Sequence, residues 1–249
     1  MMKNVAIATD SHSSITPEMA QTLGVAVLPM PFTIDGICYL EEETLTRAEF
    51  YAHQRRGAKI ATSQPAPADV TALWDKLLTD HDEVLYIPIS SGLSGSCQAA
   101  MALAADAPYA GRVFVVDNGR VATALHVTVL DALRLRDAGD DAATIKPILH
   151  FTTGTLSAYK KARGMNRAQD VMIEAIRAEL SGRFAEPLAQ GRVTLLAASS
   201  ASPEATAAWE AWLRREFPEL PLLCDQLSLG VACHIGEGGL GVGLSVSPK

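Results

Sequence analysis

The stretch EVLYIPISSGLSGSCQAAMALAA, residues 83–105, decides the fold class, because it holds a strand, a loop and a helix in direct succession. Glu83 to Ile89 is a short apolar run of the kind that forms a buried strand. Gln98 to Ala105 is rich in alanine, methionine and leucine, which favour helix. Glycines and serines fill residues 90–96 between them and predict a loop.

The same stretch includes 22 uncharged residues from Val84 to Ala105, long enough on paper to cross a bilayer. Proline, glycines and serines in its middle favour the strand, loop and helix over a membrane span. The chain starts with only four apolar residues before Thr9, too few for the core of a signal peptide. The sequence therefore predicts no transmembrane segment and no targeting segment.

Similar units precede and follow this stretch. The predicted elements are a strand at Val5–Ala8, a helix opened by Thr16-Pro17, a strand at Val25–Met30, a hairpin turn at Asp35-Gly36, a capping box at Thr46 and Glu49, a strand at Arg112–Val116 and a helix at Ala122–Arg136. Strands that alternate with helices predict an α/β fold with a mostly parallel, helix-covered sheet. We assign residues 1–140 to this N-terminal domain.

The second half predicts another α/β domain, residues 141–249, with a mixed sheet. Its predicted elements are a strand at Ile148–Phe151, a return strand within Tyr159–Arg163, an amphipathic helix at 165–182, a strand at Val193–Ala198, a helix capped by Ser202 and a Gly-rich, β-like tail at 230–247. One junction is unusual, because a capped helix start at Asp140–Ile145 meets Lys146-Pro147 after about one turn. Either this helix is very short or a segment is missing there.

Charge and cysteine content narrow the function classes. The chain has 21 Lys and Arg against 28 Asp and Glu, a net charge of −7, which argues against nucleic-acid binding. Residues 146–192 alone hold 8 basic and 4 acidic residues, so positive charge is concentrated there. The four cysteines show no C-x-x-C spacing and predict reduced thiols in the cytoplasm.

Hydroxyl groups dominate the loops where ligands bind in an open parallel sheet, at the carboxyl ends of the strands. These loops are Asp10–Ser14, Ala61–Pro65, Ser90–Ser96 and Asp117–Arg120. Ser94, Gly95 and Ser96 precede a helix, so hydroxyls and free backbone N–H groups converge on a point that suits one carboxylate or phosphate edge. The alternative is that these serines only cap helices and close turns.

Other ligand and cofactor motifs are not convincing. Gly236 to Gly241 matches G-x-G-x-x-G, but no βαβ unit can follow it so near the C-terminus. There is no G-x-x-x-x-G-K-[ST] sequence for a triphosphate. The six histidines show neither H-E-x-x-H nor a Cys/His pairing. We predict no metal and no cofactor.

Six motifs in order along the chain resemble those of the DegV family of bacterial fatty-acid-binding proteins. They are I-x-T-D-S at 7–11, T-S-Q-P at 62–65, I-S-S-x-L-S-G at 89–95, K-P-I-L at 146–149, K-x-R-G at 161–164 and H-x-G-x-G at 234–238. The resemblance spans most of the chain. It implies two α/β domains with a long-chain fatty acid as ligand, buried in a tunnel in the cleft between them.

The resemblance also implies roles for individual residues. The acyl carboxylate is expected at Thr62, Ser94 and His234. Ser63, Gly95 and Ser96 are expected to supply supporting backbone and hydroxyl groups. The family includes binding subunits of fatty acid kinase, which present the carboxylate to a separate ATP-dependent catalytic subunit for acyl phosphate formation in phospholipid metabolism. Lys161 and Arg163 are then expected to face that partner or its phosphate, the alternative being a solvated strand end.

The resemblance also bears on catalysis and membrane contact, and other functions remain as alternatives. It implies a protein with no catalytic residues of its own, which makes at most transient contact with a membrane. A serine hydrolase or acyl transferase using Ser94 and His234 is the alternative from another class, and a kinase-independent lipid carrier is a third.

The chain also departs from the family pattern. A segment usual between Ile145 and Lys146 is absent, and Glu237 stands where H-x-G-P-G has proline.

Overall fold

The structure, a computed structural model, describes residues 3–41, 43–149 and 161–248. The chain divides into two compact units. The first unit lies within Met1–Thr155 and Leu227–Glu237, and the second lies within Leu156–Gln226 and Gly238–Lys249. Both units combine helices with a sheet, so the predicted α/β class is confirmed.

The strands are β1 (Val5–Asp10), β2 (Ala26–Leu28), β3 (Pro31–Ile34), β4 (Ile37–Leu40), β5 (Ile60–Thr62), β6 (Glu83–Ile87), β7 (Val113–Val115), β8 (Val193–Ser199), β9 (Leu222–Gln226) and β10 (Leu240–Val246). The helices are α1 (Pro17–Leu23), α2 (Arg47–Arg55), α3 (Pro67–Leu77), α4 (Ser96–Ala105), α5 (Thr123–Asp137), α6 (Ala142–Ile148), α7 (Met165–Ser181), α8 (Ala185–Ala189), α9 (Pro203–Glu216) and α10 (Leu229–Ile235). One turn of 3₁₀ helix covers Ser11–Ser13.

The main sheet of the first unit has four parallel strands in the order β2-β1-β6-β7. Every residue of β1 and β6 is buried, as expected when helices cover both faces of a parallel sheet. On one face Trp74 packs edge-on against Tyr86 and Tyr109. On the other face Leu125 and Ile145 contribute to a second apolar cluster. The predicted parallel, helix-covered sheet is confirmed.

The predicted hairpin belongs to a separate antiparallel sheet in the order β4-β3-β5. Asp35 and Gly36 have φ angles of 51° and 86°, the positive values that a type I′ turn requires at both central residues. Strand β5 pairs along β3, with Thr62 opposite Phe32. The hairpin therefore fixes the end of β5, where Thr62 lies.

The second unit contains a mixed sheet in the order β10-β8-β9, in which β8 runs parallel to β9 and antiparallel to β10. Trp209 and Leu213 of α9 pack in its core with Ile173 and Ile176 of α7. The predicted helix after Ser202 is confirmed, and the Ser202 side chain accepts a hydrogen bond from the N–H of Ala205 at 3.3 Å. The mixed sheet is also confirmed.

The prediction of a strand at Ile148–Phe151 is wrong at Ile148, which lies in α6, and at Leu149, which is the C-cap of that helix. Its remaining residues, from His150 onward, lie outside the described residues. Helix α6 runs through the junction of Ile145 and Lys146 and includes Pro147 in its last turn. Proline inside a helix destabilises it, because proline has no N–H to donate and its ring clashes with the preceding turn. Here the Asp141 side chain caps the helix, and Ile145 is fully buried, which offsets that cost.

Two more sequence predictions need correction. Residues 161–163 form no strand, and the earlier part of the predicted return strand lies outside the described residues. The Gly-rich tail at 230–247 is not β throughout, because it begins in helix α10 and only its second part forms β10. Glu41 and Arg47 contact the chain at the start of α10 and stabilise this helix. The glycines of the segment do not predict a helix there.

The division into units differs from the expected boundary between residues 140 and 141. Helix α6 lies beyond that boundary and still packs against β6 and β7 of the first unit. The segment Leu227–Glu237 also belongs to the first unit, so His234 shares a unit with Thr62 and Ser94.

Candidate functional site

The loops after β1 and β6 are joined by the fully buried carboxylate of Asp10. Its Oδ1 accepts a hydrogen bond from the N–H of His12 at 3.0 Å, and its Oδ2 accepts one from the N–H of Ile89 at 2.8 Å. Burial raises the pKa of Asp10, against the opposing effects of His12 and of these two hydrogen bonds. Asp10 therefore fixes the loop that leads to Ser94.

Ser94, Gly95 and Ser96 form the start of α4. The Ser94 Oγ accepts a hydrogen bond from the N–H of Ser96 at 3.2 Å, and Gly95 at the N-cap position offers no side chain to the helix. The Ser96 Oγ is buried and has no hydrogen-bond partner among the described residues. A helix N-terminus with an unsatisfied hydroxyl has hydrogen-bonding capacity to offer an anion.

Thr62 and His234 meet in the structure although 172 positions separate them in sequence. The Thr62 Oγ1 lies 3.2 Å from the His234 Nε2, within hydrogen-bonding distance. Thr62 is half-buried at the end of β5, and His234 is exposed in the last turn of α10. Two of the three residues expected at the carboxylate therefore lie side by side.

The loops that carry Thr62 and Ser94 also approach each other. A Cβ built on Gly95 would lie 3.2 Å from the Oε1 of Gln64. Gln64 belongs to the T-S-Q-P loop, two residues after Thr62. Ser63 is exposed in that loop. Gly95 therefore allows the T-S-Q-P loop to pack closely against the start of α4.

Polar contacts hold the segment Leu227–Glu237 on the first unit. The Glu41 carboxylate accepts a hydrogen bond from the N–H of Leu229 at 2.5 Å. The Arg47 guanidinium donates to the carbonyl oxygen of Leu227 at 2.7 Å. At the other end of the segment, Arg55 contacts both oxygens of Glu237 at 2.8 and 3.0 Å. These contacts place α10, and with it His234, beside β5.

Lys161 and Arg163 lie in the second unit, ahead of α7, and both are exposed. They form no ion pair with another residue of the described chain. The nearby Arg167 differs, because it lies 3.8 Å from Asp170 and 3.7 Å from Glu174. Lys161 and Arg163 therefore retain positive charge that no described carboxylate neutralises.

Residues 3–41, 43–149 and 161–248 contain no cluster of three or more His, Cys, Asp or Glu side chains arranged to hold a metal ion. Among the same residues, no helix is both long and apolar enough to cross a membrane.

Sequence reasoning missed the residues that act through packing. Gln64 lies inside a quoted motif, but nothing in the motif indicates its approach to Gly95. His12 and Gly230 touch each other in the structure, and their sequence separation gives no signal of that contact.

Comparison with known proteins gives a consistent family assignment. The model of the DegV family, described as uncharacterised proteins, matches residues 4–146 and 140–247. A DegV domain-containing protein of Listeria innocua is 26% identical over 290 aligned residues, which cover 99% of this chain and 100% of the relative. A DegV domain-containing protein of Deinococcus radiodurans is 35% identical over 61% of this chain and 57% of its own length.

The aligned length of the Listeria innocua relative exceeds the 249 residues of this chain, so that relative has residues with no counterpart here. This agrees with the expectation that a segment is absent. Its location between Ile145 and Lys146 stays a prediction.

Solved structures of similar fold belong to the same family. A fatty-acid-binding DegV family protein of Thermus thermophilus superposes with a TM-score of 0.83 at 25% identity, covering 98% of this chain and 99% of that one. DegV of Bacillus subtilis, a fatty acid binding protein, gives a TM-score of 0.82 at 20% identity over 98% and 99% of the two chains, a likeness of fold. With the family model matching nearly the whole sequence, this two-domain α/β chain belongs to the DegV family.

Proposed function

We propose that this protein binds a long-chain fatty acid and holds its carboxylate at Thr62, Ser94 and His234. The observation that carries the proposal is the 3.2 Å contact between the Thr62 Oγ1 and the His234 Nε2. It joins two of the expected ligand residues in one unit, beside the loop that leads to Ser94.

The chemistry of these groups suits a carboxylate. An ionised carboxyl group only accepts hydrogen bonds and has about four acceptor positions on its two oxygens. The Ser94 hydroxyl can donate one hydrogen bond, and the Thr62 hydroxyl and the His234 Nε2–H can each donate one once their mutual contact opens to the carboxylate. The Ser96 hydroxyl and the start of α4 add further donors. A single negative charge is thus matched without lysine or a metal ion.

Apolar side chains beside the ligand residues suit the acyl chain. Leu93 directly precedes Ser94 and is 39% exposed, and Ile235 directly follows His234 and is 52% exposed. Large apolar side chains with this exposure offer contact to a hydrophobic ligand. The two kinds of group together favour an amphipathic ligand over a small polar anion.

The similar proteins support the same ligand class. The Thermus thermophilus protein, at 25% identity over nearly the whole chain, binds fatty acid.

The test is to purify the protein, extract it with organic solvent and identify the extracted lipids by mass spectrometry. We expect a long-chain fatty acid in the wild-type extract and a much smaller amount from a Thr62→Val/His234→Ala double variant. If the wild-type protein carries no fatty acid and binds none at micromolar concentration, the proposal is wrong.

We further propose that the protein catalyses no reaction itself and presents the bound carboxylate to a separate ATP-dependent kinase. The carboxylate oxygen then attacks the terminal phosphorus of ATP, forming an acyl phosphate and releasing ADP. The exposed, unneutralised charges of Lys161 and Arg163 suit contact with such a partner or its phosphate.

Reconstitution with an ATP-using partner tests this step. A Lys161→Ala/Arg163→Ala variant should keep its fatty acid and lose acyl phosphate formation. Arg183→Ala is a suitable control, because Arg183 is exposed in the same unit and pairs with Glu179. Acyl phosphate formation that survives the double substitution would rule out this role for the two residues. If no partner phosphorylates the bound lipid, the protein is a kinase-independent lipid carrier.

The alternative of a serine hydrolase or acyl transferase requires His234 to act as a base on Ser94. In the structure the His234 Nε2 contacts Thr62, whereas the Ser94 Oγ accepts the N–H of Ser96. A binding site should not react with a serine-directed phosphonate. Covalent labelling of Ser94 by such a reagent would favour the enzyme over the binding protein.

A further inference from the structure

The ring of His12 occupies the space where residue 230 would carry a side chain. A Cβ built on Gly230 would lie 2.5 Å from the Nε2 and 3.1 Å from the Cδ2 of His12. Gly230 lies within α10 and does not have a positive φ, so its backbone does not require glycine. Glycine also weakens a helix relative to alanine. The contact with His12 therefore explains why glycine stands at this position.

The His12 ring has little freedom to move away. His12 is 6% exposed, and its backbone is fixed at both polar groups. The N–H donates to Asp10 at 3.0 Å, and the carbonyl oxygen accepts the N–H of Ala122 at 2.7 Å. A side chain added at residue 230 must therefore displace either a buried ring or helix α10 itself.

The contact lies on the part of α10 that leads to the ligand residue. Gly230 and His234 are four residues apart, about one helical turn, and so share a face of α10. A helix of seven residues is too short to hold its position without tertiary contacts. The distance between α10 and His12 therefore also sets where the His234 ring meets Thr62.

We propose that His12 and Gly230 are a positioning pair, in which the His12 ring supports α10 so that His234 reaches Thr62 and the bound carboxylate. Neither residue needs to touch the ligand. This inference rests on the proposed fatty-acid site. It adds the contact that aligns His234, one of the residues proposed to bind the carboxylate.

The test measures binding of a fluorescent long-chain fatty acid, cis-parinarate, to matched variants. Gly230→Ala should weaken the affinity about tenfold, the change expected when one hydrogen bond to a charged group is lost. Adding His12→Ala to Gly230→Ala should recover part of the affinity, because the new methyl group then meets no ring and fills part of the space that the ring leaves beside α10. Gly243→Ala is the control, since a Cβ there would meet no atom within 4 Å.

A second readout separates positioning from a general loss of stability. His234→Ala should weaken binding in the wild-type background and have little further effect in the Gly230→Ala background, where His234 is already displaced. Such non-additivity is the signature of two residues that act through one contact. Loss of stability alone would leave the His234 contribution intact.

The outcomes distinguish this inference from the proposed function. If the wild-type protein binds no parinarate, the proposed function fails. If it binds, and either Gly230→Ala binds equally well or His234→Ala has the same effect in both backgrounds, the positioning role is wrong and the proposed site stands. If Gly230→Ala does not fold, the double variant is compared with His12→Ala, and weaker binding by the double variant overturns the inference.

Discussion

Replacement of Thr62 by valine gives the most direct measure of the carboxylate site. Valine keeps the β-branched shape that suits the end of β5 and removes only the hydroxyl that lies 3.2 Å from the His234 Nε2. A hydrogen bond to a charged group contributes about 1.5–3 kcal/mol. Thr62 is only half-buried, so we expect the lower value, about 1.5 kcal/mol, or about tenfold weaker fatty acid binding.

The assay is a fluorescence titration with parinarate at fixed ionic strength, together with a thermal unfolding curve for each variant. Thr33→Val is the matched control. Thr33 lies on the adjacent strand β3 and donates to the carbonyl oxygen of Ala61 at 3.4 Å. It directly follows Phe32, the partner of Thr62, so its side chain points to the opposite face of the sheet.

The conservative variant Thr62→Ser sharpens the result, because it retains the hydroxyl and should bind nearly as well as the wild type. Equal affinity of Thr62→Val and wild type would refute the reasoning and place the carboxylate elsewhere. Equal losses in Thr62→Val and Thr33→Val would assign the effect to the sheet and not to the ligand contact.

Three further predictions concern groups around the site and the core. Iodoacetamide at about pH 8 should alkylate the exposed Cys38 and spare Cys97, because burial raises the pKa of Cys97 to about 12. Alkylation of Cys97 in the folded protein, detected by peptide mass spectrometry, would contradict this prediction. Burial lowers the pKa of His12, so at falling pH the unfolded chain binds a proton at this residue before the folded protein does. The free energy of unfolding should therefore fall as the pH drops below about 6.5. An equally steep fall in His12→Asn would assign the pH dependence to other groups. Glu83→Ala should lower the free energy of unfolding by about 1–3 kcal/mol in denaturant titrations, since it leaves the N–H of Ala142 without its acceptor, whereas Glu83→Gln should lose less. Equal losses in the two Glu83 variants would assign the effect to the ion pair of the carboxylate with Lys3 and not to the N–H of Ala142.

The sequence correctly predicted the turns and helix starts that depend on residues close together in the chain. The positive φ angles of Asp35 and Gly36 follow from the preferences of a type I′ turn. The reciprocal contacts of Thr46 and Glu49 form the capping box that their spacing predicts at the start of α2. In both cases the residues that determine the structure are within four positions of one another.

The last turn of helix α6 and the whole of helix α10 were missed because distant residues stabilise them. The Oε2 of Glu83 accepts the N–H of Ala142 at 3.0 Å, so a residue of β6 fixes the start of α6 and the helix tolerates Pro147. In the same way, Glu41 accepts the N–H of Leu229 at the start of α10. Composition and periodicity carry no information on such partners. The contact between Thr62 and His234 is equally long-range, and only the family resemblance indicated it.

The departure at Glu237 shows how one residue of a family motif can change while the flanking glycines keep positive φ angles. Gly236 and Gly238 have φ angles of 88° and 87°, which favour glycine, so the turn after α10 keeps its backbone geometry on both sides of the substituted position. Proline would stiffen that position through its ring, whereas Glu237 fixes it through two contacts with Arg55 at 2.8 and 3.0 Å. The two side chains are 59% and 44% exposed, so the ion pair contributes less than about 1 kcal/mol and weakens with salt. The position of His234 must therefore depend mainly on the buried contacts at the start of α10, which do not involve the substituted residue.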